Sequence, residues 1–331
     1  MQRGVIYGIL AGGLWGTVFL APRLLADFSP WLLSAGRYTM YGAVSLLAFA
    51  PIARTVWPKL TGRDMLTLLR LALTGNLVYY VFLAEAVHRV GIAPSSLIIG
   101  VLPVTVTLVG RRDHGAVPLS RLALPLGLVL AGIACINVDV FMGAADTTGT
   151  GNGTDGTVGS QIVGVLCAVG ALLSWTWFAV ENARYLQRNP RFTGHEWSTL
   201  WGIATGLLGL ILGLIVMALP AGTVQPAVPE ARWHAFWVLN LVLAVGASWL
   251  GNGLWNAAAK RLPLTLSGQM IVFETLFALI YGFVYDMRMP RGFEIAAVAL
   301  LVVGVSWSVR LHAAEDPMPH RIEDEAEVSA H

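Results

Sequence analysis

Ten long apolar stretches fill most of the chain, and they limit its fold more than any other feature. A helix needs roughly 20 apolar residues to cross the hydrocarbon core of a bilayer, and the stretches approach that length. Their bounds are 4–21, 30–50, 71–87, 92–109, 122–138, 161–180, 197–219, 234–256, 264–284 and 293–311. The sequence therefore predicts an all-α integral membrane protein with ten transmembrane helices. The first stretch also has the length of a signal peptide, but the nine that follow and its glycines at every fourth position favour a permanent helix.

The composition excludes the soluble and the disordered classes of protein. Of 331 residues, 56% are apolar and 12% are Asp, Glu, Lys or Arg, whereas soluble domains carry about 25% charged residues. The mean hydropathy of +0.68 agrees, and a net charge of +2 provides no basic surface for nucleic acid. Cys135 and Cys167 both lie in apolar stretches, so we interpret them as core residues and not as a disulfide or metal ligands.

The distribution of basic residues predicts that both termini lie in the cytoplasm. With the amino terminus inside, 15 of the Lys and Arg residues lie on the cytoplasmic side, 5 lie outside, and Arg37 falls within a stretch. Such an excess is the positive-inside signal of membrane proteins. An even number of helices then returns the carboxyl terminus to the same side.

Two polar segments divide the chain into its predicted parts. Residues 143–160 contain six Gly, five Thr and no Lys or Arg, a composition typical of a flexible linker, and the topology places this linker outside. Residues 312–331 are rich in Asp and Glu and are expected to form a disordered cytoplasmic tail. A first group of five helices occupies 1–142, and a second group of five occupies 161–311.

The two groups of five helices show traces of an internal repeat. Residues 66–137 align with residues 238–309 without a gap, at an offset of 172, and 11 of the 72 positions are identical. Because five is an odd number, the second group must enter the membrane in the opposite orientation. Inverted repeats of this kind suit alternating access to a site near the membrane midplane. The alternative is a duplication retained only for helix packing.

Several deep residues carry a resemblance to a known family. Trp15 and Trp175 lie in the first helix of each group, Arg37 lies within the second helix, and the ninth stretch contains the run Glu274-Thr275-Leu276-Phe277-Ala278. Together with the five-plus-five arrangement, these features resemble the drug/metabolite transporter superfamily, in its EamA-like branch. The resemblance covers residues 4–310, nearly the whole chain.

The resemblance implies a multi-pass secondary transporter of the bacterial inner membrane that works by alternating access without a cofactor. Within the superfamily the chain is most similar to bacterial exporters of aromatic amino acids, which implies aromatic and other neutral amino acids as substrates. The chain departs from the family's Glu-Pro-x-x-Ala pattern at Thr275, while Pro103 holds the corresponding position of the fourth stretch. The alternative within the superfamily is export of another small metabolite or a drug.

Polar side chains at membrane depth are candidate substrate contacts. One face of the eighth stretch carries a polar stripe beside an aromatic ring, and the matching part of the third stretch carries a second polar and aromatic group. The residues are Asn76, Tyr79, Tyr80, Ser248, Asn252, Trp255 and Asn256. Asn can hydrogen-bond both the carboxylate and the ammonium of an amino acid, and aromatic rings supply an apolar wall. The alternative is interhelical bonding that only holds the bundle together, at about 0.6 kcal/mol per contact.

Three deep tryptophans and one proline are further candidates. Trp15, Trp175 and Trp177 lie well inside their stretches and either line the substrate cavity or simply pack. Pro103 cannot donate a backbone hydrogen bond, so we predict a kink in the fourth stretch. That kink is either static or part of a gating movement.

Two charged residues lie at membrane depth, and one pair of opposite charges lies near the end of a stretch. Glu274 either carries a coupled proton, meets a substrate ammonium or bonds a neighbouring helix. Arg37 either holds a substrate carboxylate or pairs with a buried acid or a helix carboxyl end. Glu85 and Arg89, four residues apart, are expected to form a local ion pair.

An integral membrane enzyme and a channel are the alternatives from other classes. The sequence has no His-Glu-x-x-His, Walker or Gly-x-Ser-x-Gly motif, no paired carboxylates at membrane depth and no selectivity ring. A carrier without a metal or cofactor is therefore expected. Its partners are a small-molecule substrate and the lipid bilayer, and the sequence leaves the oligomeric state open.

Overall fold

Helices are the only regular elements among the residues that the structure describes. The computed structural model describes residues 1–90, 92–146, 158–220, 223–224 and 227–315. Most of the predicted linker, residues 147–157, and the predicted tail beyond residue 315 lie outside the described residues. The flanking helices reach further than predicted, since one continues to Asp146 and another begins at Val158.

The helices follow one another in two groups, before and after the predicted linker. The first group consists of α1 (Gln2–Gly16), α2 (Pro30–Val56), α3 (Gly62–Ala72), α4 (Tyr79–Val90), α5 (Ile92–Ile99), α6 (Leu102–Gly110) and α7 (Leu119–Asp146). The second group consists of α8 (Val158–Arg188), α9 (Gly194–Ala218), α10 (Glu230–Leu243), α11 (Gly251–Ala259), α12 (Leu264–Met270), α13 (Val272–Tyr285) and α14 (Gly292–Glu315). A 3₁₀ turn at Thr17–Leu20 and a short helix at Ala21–Leu24 extend α1.

Nine helical segments of the described part of the chain are long and apolar enough to cross a membrane. In the fourth predicted stretch the apolar helical segment, Leu97–Gly110, is shorter. The stretch is divided into α5 and α6, and Pro103 lies in the first turn of α6. Proline lacks the N–H that a continuous helix would need at this point, which accounts for two short helices in place of one long helix.

Two of the membrane helices contain a π-helical segment at related positions. Leu73–Val78 joins α3 to α4, and Ala244–Leu250 joins α10 to α11. The last residues of the two segments, Val78 and Leu250, lie 172 positions apart, which is the offset of the sequence alignment. The break between α5 and α6 and the break between α12 and α13 follow nearly the same offset. π-Helical segments are rare and frequently mark functional sites.

Capping boxes fix the start of two helices after loops that are predicted to be cytoplasmic. Thr61 and Asp64 form one at α3, and Thr193 and Glu196 form the other at α9. In each box the Thr side chain accepts a backbone N–H while the acidic side chain accepts the N–H of the Thr. The boxes satisfy N–H groups that the first turn of a helix leaves without partners.

A ladder of glycines on α1 sets how closely the two groups approach. A Cβ placed on any of them would lie 2.6–2.9 Å from an atom of α12, α13 or the loop before α12. The ladder consists of Gly4, Gly8, Gly12 and Gly16. Small residues of this kind let helix backbones come into close contact.

Ion pairs join the two groups at both ends of the bundle. At the predicted cytoplasmic end, the Asp64 side chain is fully buried and accepts hydrogen bonds from Tyr185 and, at 2.6 Å, from Arg191. At the opposite end, Arg232 donates to both oxygens of Asp27 at 2.7 Å. The hydrogen bonds from Arg232 lower the pKa of the Asp27 carboxyl, so this carboxylate stays ionised to a lower pH than an ordinary Asp side chain does.

Candidate functional site

A chain of three hydrogen-bonded side chains lies where α1, α2 and α11 meet. The Trp15 indole Nε1 donates to Asn252 Oδ1 at 3.2 Å, and Asn252 Nδ2 donates to the Tyr41 hydroxyl at 3.4 Å. Tyr41 in turn donates to the backbone carbonyl of Ser198 on α9 at 2.6 Å. None of the three side chains is more than 9% exposed. A predicted Asn from the second group thus contacts a predicted Trp from the first.

Trp255 places a second indole ring beside this hydrogen-bonded chain. Its ring centroid lies 5.2 Å from that of Trp15, and the side chain is buried. Gly251 makes the approach possible, because a Cβ at that position would lie 3.1 Å from two atoms of the Trp15 indole. The two tryptophans therefore form an aromatic pair beside Asn252.

Arg37 lies next to the chain, one helical turn before Tyr41 on α2. Its Nε donates to Ser248 Oγ at 3.2 Å, and its side chain is half-buried. Ser248 belongs to the π-helical segment that precedes α11. The guanidinium thus bonds a neutral hydroxyl, and it forms no ion pair with another described residue.

Glu274 faces the same region from the first turn of α13. Its carboxyl group lies within electrostatic range of the Arg37 guanidinium and of the Tyr79 hydroxyl. The side chain is half-buried, and it makes neither a hydrogen bond nor an ion pair to the part of the chain that the structure describes. Gly12 lets α13 come this close to α1, because a Cβ there would lie 2.9 Å from the Glu274 backbone N. A carboxylate and a guanidinium therefore share one space without pairing directly.

Tyrosines of α2 and α4 surround this space. Tyr79 and Tyr80 begin α4 and lie within electrostatic range of Tyr38 on α2. Tyr80 also packs edge-on against Trp31, with ring centroids 5.8 Å apart. Of the two predicted tyrosines, Tyr79 is thus placed close to Glu274, while Tyr80 lies near Tyr38.

Sequence reasoning did not single out Tyr38 and Tyr41 as site residues. Tyr38 follows Arg37 directly, and Tyr41 lies four positions after it on the same helix face. Their spacing from Arg37 was the one signal in the sequence that could have identified them as site residues. The bond from Tyr41 to the Ser198 carbonyl depends on tertiary packing, which no spacing along the chain reveals.

Two predicted Asn side chains are used to join helices. Asn256 is fully buried, and its Oδ1 accepts from Asn182 Nδ2 on α8 at 2.8 Å. Asn76 Nδ2 donates to Thr205 Oγ1 on α9 at 3.0 Å. In this structure both side chains make the interhelical bonds that were the alternative to substrate contact, while Asn252 lies beside the charged pair.

The remaining deep tryptophans do not join the Trp15–Asn252–Tyr41 chain by hydrogen bonds. Trp177 is 42% exposed, and Leu173, one turn earlier on the same face of α8, is 59% exposed. This face of α8 is thus exposed in the structure, and the interpretation of Trp177 as a cavity residue stays a prediction. Trp175 is half-buried and packs edge-on against Phe178, with centroids 5.6 Å apart.

Other titratable groups form local pairs. Arg89 Nε lies 2.5 Å from Glu85 Oε1, which confirms the predicted ion pair. Within the described ranges, no group of three or more His, Cys, Asp or Glu side chains is arranged to hold a metal ion.

Comparison with known proteins agrees with this architecture. Residues 2–138 match the model of the EamA-like transporter family. The inner membrane protein YtfF of Escherichia coli (strain K12) is 36% identical over 318 residues, which cover 94% of this chain and 96% of that protein. A solved crystal structure superposes with a TM-score of 0.70 at 21% identity, over 96% of this chain and 99% of that chain. This last likeness shows the fold alone.

These relationships establish the class and location of the protein. Its relative is an inner membrane protein, and the described residues supply nine apolar helices of sufficient length, so the chain is a multi-pass protein of the bacterial inner membrane. A transporter family also argues against the enzyme alternative. The resemblance to the EamA-like branch is confirmed at the family level: the chain belongs to the EamA-like transporter family.

Proposed function

We propose that this protein exports amino acids, aromatic and other neutral ones, across the inner membrane by alternating access. The observation that carries the proposal is the placement of Arg37 and Glu274, which bring opposite charges into one space beside the Trp15–Asn252–Tyr41 chain. A free amino acid carries a carboxylate and an ammonium group on one carbon atom. The two side chains complement those two charges.

The energetics of burial support a paired recognition of both charges. A charged group taken out of water without a partner costs far more than a neutral polar group, and charged side chains inside membrane helices commonly mark substrate pathways. Arg37 would bind the substrate carboxylate, and Glu274 would bind the ammonium. Asn252 can donate and accept, so its amide is able to add a hydrogen bond to either end.

The aromatic side chains supply the surface for an apolar substrate side chain. Trp15 lies on α1, which packs against the helix that carries Glu274, and Tyr79 lies on α4 within electrostatic range of Glu274. Stacked or edge-on aromatic pairs contribute about 0.5–1.5 kcal/mol beyond the area that they bury. A substrate with a third charge would leave that charge unpaired. The overall resemblance of the sequence to the bacterial aromatic amino acid exporter YddG supports the same substrate class.

An inverted five-plus-five repeat is part of the proposal, and pairs of matching contacts support it. Helix α2 packs on α9, and α7 packs on α14, so that corresponding helices of the two groups meet. The packing of α4 on α8 is matched by that of α11 on α1. The π-helical segments and the helix breaks at related positions add to this correspondence. Such symmetry lets the two groups exchange conformations around a central site.

Transport of three related indoles into proteoliposomes tests the charge pair. L-Tryptophan carries both charges, tryptamine lacks the carboxylate, and indole-3-propionate lacks the ammonium. The wild-type protein is expected to transport labelled tryptophan saturably and to bind both analogues about tenfold or more weakly, since one charged partner is lost in each. Arg37→Gln should abolish the preference over tryptamine, and Glu274→Gln should abolish the preference over indole-3-propionate.

Glu85→Gln serves as the matched control, because Glu85 is also a partly exposed acid of a membrane helix but pairs locally with Arg89. It should transport tryptophan with wild-type selectivity. Unchanged selectivity in both the Arg37 and the Glu274 variants would contradict the proposed charge pair. Saturable flux of another metabolite or drug, with none for amino acids, would assign a different substrate class, and formation of a product would indicate an enzyme.

A further inference from the structure

The cytoplasmic halves of the fourth and ninth membrane crossings pack tightly against each other. Helix α6 meets α12, and Thr107 Oγ1 donates to the Thr265 carbonyl at 3.2 Å. A Cβ placed on Gly110 would lie 2.9 Å from Leu264 Cγ. The absence of a side chain at Gly110 therefore leaves a gap into which α12 fits, and we call such a gap a notch.

Helix α8 makes further contacts at the same end of the bundle. Gln187 Nε2 donates to the carbonyls of Ala259 and Leu262, at 2.9 and 3.1 Å. Asn182 bonds Asn256 on α11 at 2.8 Å. Groups from α6, α8, α11 and α12 are thus joined at the predicted cytoplasmic end of the bundle.

The offset of 172 residues assigns each of these elements a counterpart at the opposite end. Helix α13 contains the counterpart of α6, and α5 is the counterpart of α12. Among the described residues, α5 and α13 have no packing comparable to that of α6 on α12. Gly282 of α13 is the counterpart of Gly110 and is identical to it, yet a Cβ placed on Gly282 would meet nothing within 4 Å. One notch is filled, and its counterpart faces open space.

Contacts between corresponding helices of the two groups differ in one respect from the contact of α6 with α12. The packing of α2 on α9 and of α7 on α14 joins corresponding helices, so exchange of the two conformations leaves it in place. The contact of α6 with α12 has no partner under the same exchange. It is therefore specific to one state of the carrier.

We propose that Gly110 and Gly282 are two notches that are filled in alternation, and that this structure is the outward-facing state with the Gly110 notch filled. In the inward-facing state, α5 packs into the notch at Gly282 while α6 and α12 separate. The breaks within the fourth and ninth crossings allow each half-helix to move without its other half. This inference rests on the inverted repeat of the proposed function.

A side chain at position 282 should block only the inward-facing state. Gly282→Leu meets open space here, so it should fold, but it should fill the notch that α5 requires. We expect transport to fall by about tenfold or more, because the variant is held in one state. Gly127→Leu is the matched control: a Cβ on Gly127 of α7 also meets nothing within 4 Å, and its transport should equal that of the wild type.

A labelling experiment gives a readout that needs no knowledge of the substrate. Tyr79→Cys, in a chain with Cys135→Ala and Cys167→Ala, is exposed to a membrane-impermeant maleimide from one side of sealed vesicles at a time. With Gly127→Leu added, the thiol should react from both sides. With Gly282→Leu added, it should react from the outer side alone.

Each outcome either supports or overturns the inference. Reaction of the Gly282→Leu protein from both sides would refute the alternating notches. Reaction from the cytoplasmic side alone would refute the outward-facing assignment. If labelling follows the expectation while the wild-type protein shows no tryptophan flux, the proposed substrate is wrong and the inference about the notches stands. If tryptophan flux follows the expectation while labelling does not, the proposed substrate stands and the notches are wrong.

Discussion

At the scale of single residues, Asn252 has the most specific surroundings of the predicted polar side chains. Its carbonyl accepts from Trp15, and its amide donates to Tyr41. Asn256, one turn further along α11, instead bonds Asn182 on α8. Two side chains of one type on one helix face therefore have different tasks, one beside the charged pair and one in helix packing.

This difference leads to a prediction for alanine variants of the two residues. Asn252→Ala removes a group of the proposed substrate site, so transport of tryptophan should fall by about tenfold or more, which corresponds to the loss of one hydrogen bond to a charged group. Tyr41 keeps its bond to the Ser198 carbonyl, so the protein should still insert and purify. Initial uptake rates in proteoliposomes and thermal unfolding in detergent measure the two effects.

Asn256→Ala is the contrasting variant. It leaves a buried Asn182 amide without its partner, at a cost of about 1–3 kcal/mol, and should lower the unfolding temperature while the affinity for substrate stays unchanged. Wild-type uptake by Asn252→Ala, or a selective loss of affinity in Asn256→Ala, would reverse this assignment of roles.

Depth in the membrane was predictable for individual residues, but the direction of a side chain was not. Apolar length located Trp15 and Trp177 well inside their helices, yet Trp15 is buried beside Asn252 and Trp177 is 42% exposed. Hydropathy reports how far a residue lies along a helix. The rotation of that helix depends on its neighbours, which a single sequence does not specify.

At the scale of helices, the interruptions are held in place by hydroxyl groups from neighbouring helices. Ser174 Oγ on α8 donates to the Thr74 carbonyl at 2.8 Å, and Ser198 Oγ on α9 donates to the Trp249 carbonyl at 3.0 Å. Both carbonyls belong to π-helical segments. A polar group at membrane depth needs such a partner, and the partners lie far away in sequence. The π-helical segments were therefore not predictable from the sequence, whereas Pro103 did signal the discontinuity of the fourth predicted stretch.

The contact between α1 and α13 leads to a prediction for two adjacent glycines. A Cβ on Gly12 would lie 2.8 Å from the Phe273 backbone carbonyl carbon, whereas a Cβ on Gly13 would lie 3.6 Å from the Phe277 ring. Gly12→Ala should thus push α13 away, cost about 1–3 kcal/mol as overpacking does, and move Glu274. We expect a lower unfolding temperature and slower uptake of tryptophan.

Gly13→Ala is the control, because its new methyl group makes an ordinary van der Waals contact. It should match the wild type in both measurements. Equal behaviour of the two variants, in unfolding temperature and in uptake, would show that the close approach at Gly12 does not position Glu274.

At the scale of the whole molecule, the class of fold followed directly from the sequence. Apolar stretches and sparse charge predicted a helical membrane protein, and the described residues form such a bundle. Contacts between the two groups, such as the burial of Asp64 by Tyr185 and Arg191, join residues more than a hundred positions apart. They arise only after the helices assemble, so no local pattern predicts them.

The orientation of the two groups underlies every functional proposal, since two inverted copies require an odd number of crossings in each. Single cysteines near residues 2, 150 and 330, in a chain with Cys135→Ala and Cys167→Ala, report it through reaction with an impermeant maleimide applied to intact cells and to inverted membrane vesicles. Residues 2 and 330 should react only from the cytoplasmic side, and residue 150 should react only from outside. Reaction of the two termini from opposite sides would contradict the inverted repeat and the alternating access built on it.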